Sequence, residues 1–392
     1  MVRDLSLAED LAQDALVAAL QQWPQAGVPA NPGAWLMAIA KRRAVDHFRR
    51  LERLERKQSE LARGLDTGPP AGLDPGALDV DYIEDDMLRL MFICCHPVLS
   101  LDARVSLTLR LVGGLTTKEI ARSFLTSEAT IAQRIVRAKR MVAAARVPFE
   151  APDQGERAER LASVLEVIYL VFNEGYSATA GQDWMRPALC EEAMRLARIL
   201  AQLSSDTAEV HGLVALLEIQ ASRMRARLDA EGKPILLMAQ DRSRWDQLLI
   251  GRGLAALARA EQIEDEPGPY QLQAAIAACH ARARTPEATD WNRIVALYGE
   301  LMTCMPSPVV ELNRAVAVSM AEGPAAALLL VDGLVTDGHL ARYHLLHAAR
   351  GDFLARLDRH AEARAEFERA AAMTANEREK ALLLERARKS AH

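Results

Sequence analysis

Aromatic residues make up only 5% of this 392-residue chain, and its five cysteines are odd in number and follow no framework spacing. That excludes a disulfide-stapled scaffold and fits reduced thiols in a cytoplasm. No apolar run approaches the ~20 residues of a membrane-crossing helix. The opening MVRDLSLAED has no apolar core of a secretory signal. There is no glycine-rich phosphate loop and no nucleophile–base motif. Cys94-Cys95-His96 has no second Cys/His pair at ligand spacing. No catalytic residue, metal or cofactor is therefore expected, and the chain does not read as an enzyme.

What remains is alanine, leucine and charge. Half the residues are apolar and β-branched runs are few, which is the composition of an all-α protein. The length suits two or three domains. Charge is uneven: residues 1–149 carry net +2 and residues 150–392 carry −7. Residues 41–63 hold nine Lys/Arg against four Asp/Glu, and residues 64–88 hold seven acids and no base. Only the front half is suited to meet nucleic acid.

The organising stretch is residues 115–142, LTTKEIARSFLTSEATIAQRIVRAKRMV. Thr116 followed by Glu119 is a capping box that opens a helix. Ile120, Ala121 and Phe124 give that helix an apolar face. Thr126 is placed to cap a second helix, in which Ile131, Ile135, Ala138 and Val142 form one buried stripe. Its other face carries Ser127, Glu128, Thr130, Gln133, Arg134, Arg137 and Arg140. Between residues 117 and 146 there are seven Lys/Arg and two Asp/Glu. A short helix, a tight turn and a basic second helix have the layout of a DNA-reading helix-turn-helix.

Upstream, Ser6 and Glu9 form another capping box before LAEDLAQDALVAALQQW. Leu7, Leu11, Ala15, Ala19, Leu16 and Leu20 form its apolar stripe, and Pro24 is expected to stop it. Asn31 then caps a helix with Pro32 at its first position and Trp35 in its first turn, which turns basic through Lys41, Arg42, Arg43, Arg49, Arg50 and Arg53. Ala40, Ala44, Val45 and Phe48 are its buried side. Residues 64–80 are rich in Gly, Pro and Asp and read as a linker. Two further helices, near residues 81–95 and 101–112, complete a four-helix domain with the helix-turn-helix.

This order resembles bacterial sigma factors of the extracytoplasmic-function class. The motifs that carry the resemblance are LAEDLAQDAL, AWLMAIAKRRAVDHFRR and GGLTTKEIARSFLTSEATIAQRIVRAKR. The back half, with VFNEGYSAT, DRSRWD, GPYQLQAAIAACHARA and PSPVVELNRAVAV, resembles a subgroup with a long TPR-like C-terminal extension. The resemblance implies a region 2-like module at 1–63, a region 4-like module at 81–146 and a helical regulatory domain at 150–392. It implies core RNA polymerase and promoter DNA as partners. Asp10, Leu11, Gln13 and Asp14 would face the polymerase. Asn31, Trp35, Arg42, Arg43, Asp46 and Arg49 would engage and melt the −10 element. Ser127, Glu128, Thr130, Gln133, Arg134 and Arg137 would meet the −35 element. Family members carry a further helix before the one at residues 6–22. Here the chain opens at Met1-Val2-Arg3-Asp4, so the first module is expected to lack one bundle member and to leave apolar surface uncovered.

From residue 156 onward the chain reads as consecutive helices. The expected spans are 156–173, 185–203, 206–229, 245–263, 269–284, 289–304, 308–321, 323–335, 339–357, 360–373 and 376–390. In YHLLHAARGDFLARLDRHAEARAEFERAAAM small residues alternate with Leu and Phe, as in stacked helical hairpins. Gly175 reads as a left-handed helix cap, and Asp241–Asp246 as an N-cap with a buried ion pair. His339, His344 and His347 read as packing or surface residues. The extension is expected to dock on a protein partner or fold back on the chain. Two rival readings stand beside the sigma factor. One is a helix-turn-helix regulator with a sensing domain and no polymerase contact. The other is an enzyme or scaffold built on the helical array.

Overall fold

The computed structural model describes residues 5–60, 80–124, 126–145, 147, 154–178, 180–263 and 266–390. The expected linker and the side chain of Arg49 lie outside the described residues. The chain divides into two compact units, residues 1–107 with 132–160, and residues 108–131 with 161–392.

In the first unit α1 (Leu5–Ala26) packs on α2 (Pro32–Glu60). α1 buries Leu11, Ala15, Ala18 and Ala19, a stripe of helical period. Leu16 and Leu20, expected in that stripe, instead face solvent together with Val17. The expected stop at Pro24 also moves. α1 continues through Pro24 to Ala26 and ends at Gly27, whose φ is +82° and whose N–H donates to the Trp23 carbonyl at 2.9 Å. A proline removes one donor, but a left-handed glycine turns the chain out of the helix. α2 starts as expected, with the Asn31 side chain accepting from the Ala34 N–H at 3.0 Å. α3 (Val80–Cys94) buries Met91, Phe92, Ile93 and Cys94.

α4 (Leu101–Leu111), α5 (Thr117–Ser123) and α6 (Glu128–Ala144) follow. Ile131, Ile135, Ala138 and Val142 of α6 are all buried.

The second unit holds α5 and the long C-terminal array. Its helices are α7 (Gln154–Tyr176), α8 (Pro187–Leu203), α9 (Ala208–Ser222), α10 (Gln247–Glu261), α11 (Pro269–Arg282) and α12 (Trp291–Cys304). α13 (Pro308–Ala321), α14 (Pro324–Asp337), α15 (His344–Ala355), α16 (His360–Met373) and α17 (Glu377–Lys389) complete it. From α11 to α17 each helix packs on the next, in a TPR-like stack with apolar clusters along it. The span expected at 206–229 ends at Ser222, where a 3₁₀ turn at Met224–Ala226 and a loop take over. The span expected from 339 begins at His344.

Two details depart from the sequence reading. Gly175 is no left-handed cap. It sits inside α7, where a Cβ would meet the Cys190 backbone nitrogen and the Leu189 Cβ at 2.8 Å, so it lets α7 and α8 touch. The unit also contains a pair of two-residue parallel strands, β1 (Ala180–Gly181) and β2 (Ala375–Asn376), which bring the end of the array back to its start.

Candidate nucleic-acid interface

The helix-turn-helix is built by local capping. The Thr116 hydroxyl accepts from the Glu119 N–H at 3.2 Å, and the Glu119 carboxylate accepts from the Thr116 N–H at 2.7 Å. The Thr116 N–H, and after it the Thr116 hydroxyl at 2.7 Å, donate to the Glu119 carboxylate and hold it below its usual range. The second helix is capped by Ser127 rather than Thr126. The Ser127 Oγ accepts from the Thr130 N–H at 3.0 Å and bonds the Thr130 hydroxyl at 2.7 Å. The residue in the cap position is thus Ser127, and it orders the first turn of α6.

Beyond that cap, Thr130, Gln133 and Arg137 are exposed along one face, and Glu128 is exposed at the first position of the helix, off that face. Arg134 shares the face but is half-buried and pairs with Asp102 at 3.2 Å. A helix N-terminus carries partial positive charge and unpaired N–H groups, so this end of α6 suits phosphate oxygens.

In the first unit, Trp35 packs at a tilt on Trp23, with ring centroids 5.5 Å apart. Arg42 and Asp46 are exposed on α2, seven and eleven residues beyond Trp35 and therefore on the same side as it. Arg43 turns away and pairs with Asp14 at 3.0 Å. Asp10, Gln13 and Asp14 are exposed. Leu11 is buried, so it packs the bundle and does not belong to an outward surface. Of the residues expected at the −35 element, the structure therefore groups Thr130, Gln133, Arg134 and Arg137 on one helix face, with Ser127 and Glu128 at the helix start, and it places Trp35 with Arg42 and Asp46 on one side of α2. It ties Arg43 to Asp14, although the resemblance gives them different partners. Lys139 of α6 and Glu9 of α1 form a further ion pair that sequence reasoning did not single out.

In the second unit, two arginines of the array bond the backbone on either side of α5. Arg186 Nη1 donates to the Ser123 carbonyl, at the end of α5, and to the Glu174 carboxylate. Arg195 Nη2 donates to the Val112 carbonyl at 2.9 Å, just past α4, while its guanidinium is held by Glu192. Gly113 follows, where a Cβ would stand 2.7 Å from the Leu109 carbonyl oxygen and 3.0 Å from Glu192. Only the packed structure brings these partners together.

Comparison with known proteins matches residues 1–54 to sigma-70 region 2 and residues 89–142 to sigma-70 region 4. A segment of 143 residues is 29% identical to ECF RNA polymerase sigma factor SigK of Mycobacterium sp., covering 34% of this chain and 67% of that protein. The chain belongs to the extracytoplasmic-function class of sigma factors. This sigma factor also carries a C-terminal extension, of which residues 160–261 match a family of unknown function, DUF6596. An uncharacterized protein of Rhizobium meliloti is 48% identical over 382 residues, covering 97% of this sigma factor and 89% of the relative. The crystal structure of yeast Tom70 aligns with 98% of this chain and 79% of its own, at 12% identity and a TM-score of 0.33.

Several polar residues of the extension that the sequence singles out have structural roles. Among the described residues, the Asp241–Asp246 stretch makes no buried ion pair. Asp241 accepts from the Ser243 N–H, and Asp246 accepts from the Leu248 and Leu249 N–H groups that open α10. Arg242 donates to the His280 and Ala283 carbonyls at 2.9 and 2.6 Å, satisfying the end of α11. His347 bonds Glu366 at 2.6 Å and His344 bonds Glu379 at 3.0 Å. Among the described residues no cluster of three or more His, Cys, Asp and Glu could hold a metal. No helix among them is long and apolar enough to cross a membrane.

Proposed function

We propose that this sigma factor brings core RNA polymerase to promoters whose −35 element is read by α6, and that its extension controls that reading by holding α5. The outward residues Glu128, Thr130, Gln133 and Arg137 would meet base edges and phosphates, with Arg134 released from Asp102 on binding. Trp35, Arg42, Asp46 and Arg49 would engage the −10 element, and Asp10, Gln13 and Asp14 the polymerase. One observation carries the control: Arg186 and Arg195 bond the backbone carbonyls that bracket α5. Charge-assisted bonds of this kind contribute about 1.5–3 kcal/mol each, enough to set the pose of a seven-residue helix.

The test is transcription in vitro with core polymerase, comparing the chain with its Arg186→Ala/Arg195→Ala form. Promoter output should change several-fold while binding to core polymerase persists. Equal output from the two forms would refute control through α5. Failure of the unaltered chain to bind core polymerase would favour a regulator that acts without it.

A further inference from the structure

The C-terminal array forms a partly open cavity of about 410 Å³ between α7, α9, α11, α12 and α13. That is the size range of small-molecule sites. Its walls include Tyr169, Tyr176 and Tyr298, with Arg223, Gln220 and His280 at the polar side. None of the described residues lining it is acidic.

Arg223 is the unusual member. It is 9% exposed, and among the described residues no carboxylate lies within ion-pair distance of it. Its guanidinium donates to the Gln220 side-chain oxygen and lies 5.9 and 5.8 Å from the Tyr176 and Trp245 rings. Among the described residues its Nε has no hydrogen-bond partner. Arg227 and Arg242 add two more guanidiniums nearby, over Tyr176 and Trp245. A buried cation matched only by an amide and ring faces is under-compensated. His280, 8% exposed, also lines the cavity, with Nδ1 lacking a partner. Burial, then Arg223 and Arg242, push it down to about 3, so it stays neutral and leaves the positive charge to the arginines.

We propose that this cavity binds a small aryl carboxylate, its carboxylate taken by Arg223 and its flat ring lodged among the tyrosines. Arg223 supplies a planar fork that matches a carboxylate. Phe172 and Tyr176 are stacked at 15° and 5.5 Å, so the wall already presents parallel ring faces. Asn173 and Tyr176 line the cavity and bracket Glu174, the partner of Arg186. A ligand there would reach the α5 anchor within one helical turn, a consequence that rests on the control proposed above.

The test uses the full chain with benzoate, phenylacetate and indole-3-acetate, each paired with its primary amide. Thermal unfolding and calorimetric titration are the readouts. At least one acid should raise Tm saturably and bind at least tenfold more tightly than its amide. Arg223→Gln should weaken that acid at least tenfold. Gln220→Glu, which keeps the side-chain shape and neutralises Arg223 in place, should do the same. The proposal is overturned if all three acids are inert, if acid and amide bind alike, or if Gln220→Glu leaves acid affinity unchanged. Binding is read without transcription. An acid that binds as expected yet leaves promoter output unchanged would remove the link to α5 alone.

Discussion

The side-chain amide of Asn376 donates to the Ala178 carbonyl at 3.0 Å, across 198 residues of chain. The same amide donates to the Asp183 carbonyl at 3.0 Å, while its oxygen accepts from the Arg378 and Glu379 N–H groups that open α17. Asn376 is 1% exposed; its bond to the Ala178 carbonyl is buried and its other three bonds are partly buried. One side chain thus caps the last helix and clasps it to the loop after α7. Arg378 reinforces the clasp through the Gln182 and Gly232 carbonyls.

Asn376→Ala should therefore destabilise the C-terminal array more than loss of an ordinary cap. A cap is worth about 1 kcal/mol, and each orphaned buried partner adds about 1 kcal/mol or more. The expected loss is roughly 2–4 kcal/mol, read from denaturant unfolding. A loss under about 0.5 kcal/mol, the range of ordinary surface changes, would mean that the clasp is not formed in solution.

Arg137 and Arg134 should behave differently although both lie on α6. Arg137 is exposed, whereas Arg134 is paired with Asp102. Arg137→Ala should weaken binding to a −35 duplex by about 1–3 kcal/mol if it meets a base, or lower the salt slope by about one if it meets a phosphate. Asp102→Ala should leave that affinity equal or tighter, because it releases Arg134. Anisotropy titrations at two salt concentrations distinguish these outcomes. Weaker binding on losing Asp102 would mean that the pair positions α6.

The helix-turn-helix was legible because its signals are local. The Thr116–Glu119 box and the stripe Ile131, Ile135, Ala138 and Val142 lie within two turns of their own partners. Most helices of the array were legible for the same reason. Neither the return of Asn376 to Ala178 nor the reach of Arg186 to Ser123 leaves a mark in the sequence, since both depend on how the helices stack. The arginines around Trp245 looked like half of an ion pair. Arg242 instead bonds carbonyls and lies 5.0 Å from the Trp245 ring, so no nearby acid was needed. Leu16 and Leu20 matched the period of α1 yet face outward, because period alone cannot say which of two adjacent apolar rows is covered.

Gly175→Ala should test the crossing of α7 and α8. The added methyl would stand 2.8 Å from backbone and side-chain atoms of α8, a distance that requires the helices to part. Overpacking of this kind costs about 1–3 kcal/mol. The neighbouring Glu174–Arg186 pair should loosen with it, so the variant should lower the unfolding midpoint and alter promoter output together. A changed midpoint with unchanged output would uncouple the crossing from α5.

His280 sets a pH dependence with a definite sign. Its ordinary value is 6.5 and its folded value about 3, lowered first by burial and then by Arg223 and Arg242. Between those values the unfolded chain takes up a proton that the folded chain refuses. Stability from this group is complete above about pH 6.5 and falls as pH drops toward 3, by up to about 1.4 kcal/mol per pH unit. His96, pushed down to about 4 by burial and then by Arg160 and Arg104, acts in the same direction in the first unit. Ordinary carboxylates titrate in the lower part of this range, so the interval from pH 6.5 to 5 reports chiefly on the histidines, while Glu209, pushed up by burial, acts in the opposite direction. His280→Asn should flatten the fall of the unfolding free energy of the array across that interval, while leaving the contribution of His96. An unchanged slope would mean that the imidazole is solvated in the folded chain and that the wall of the cavity is open there.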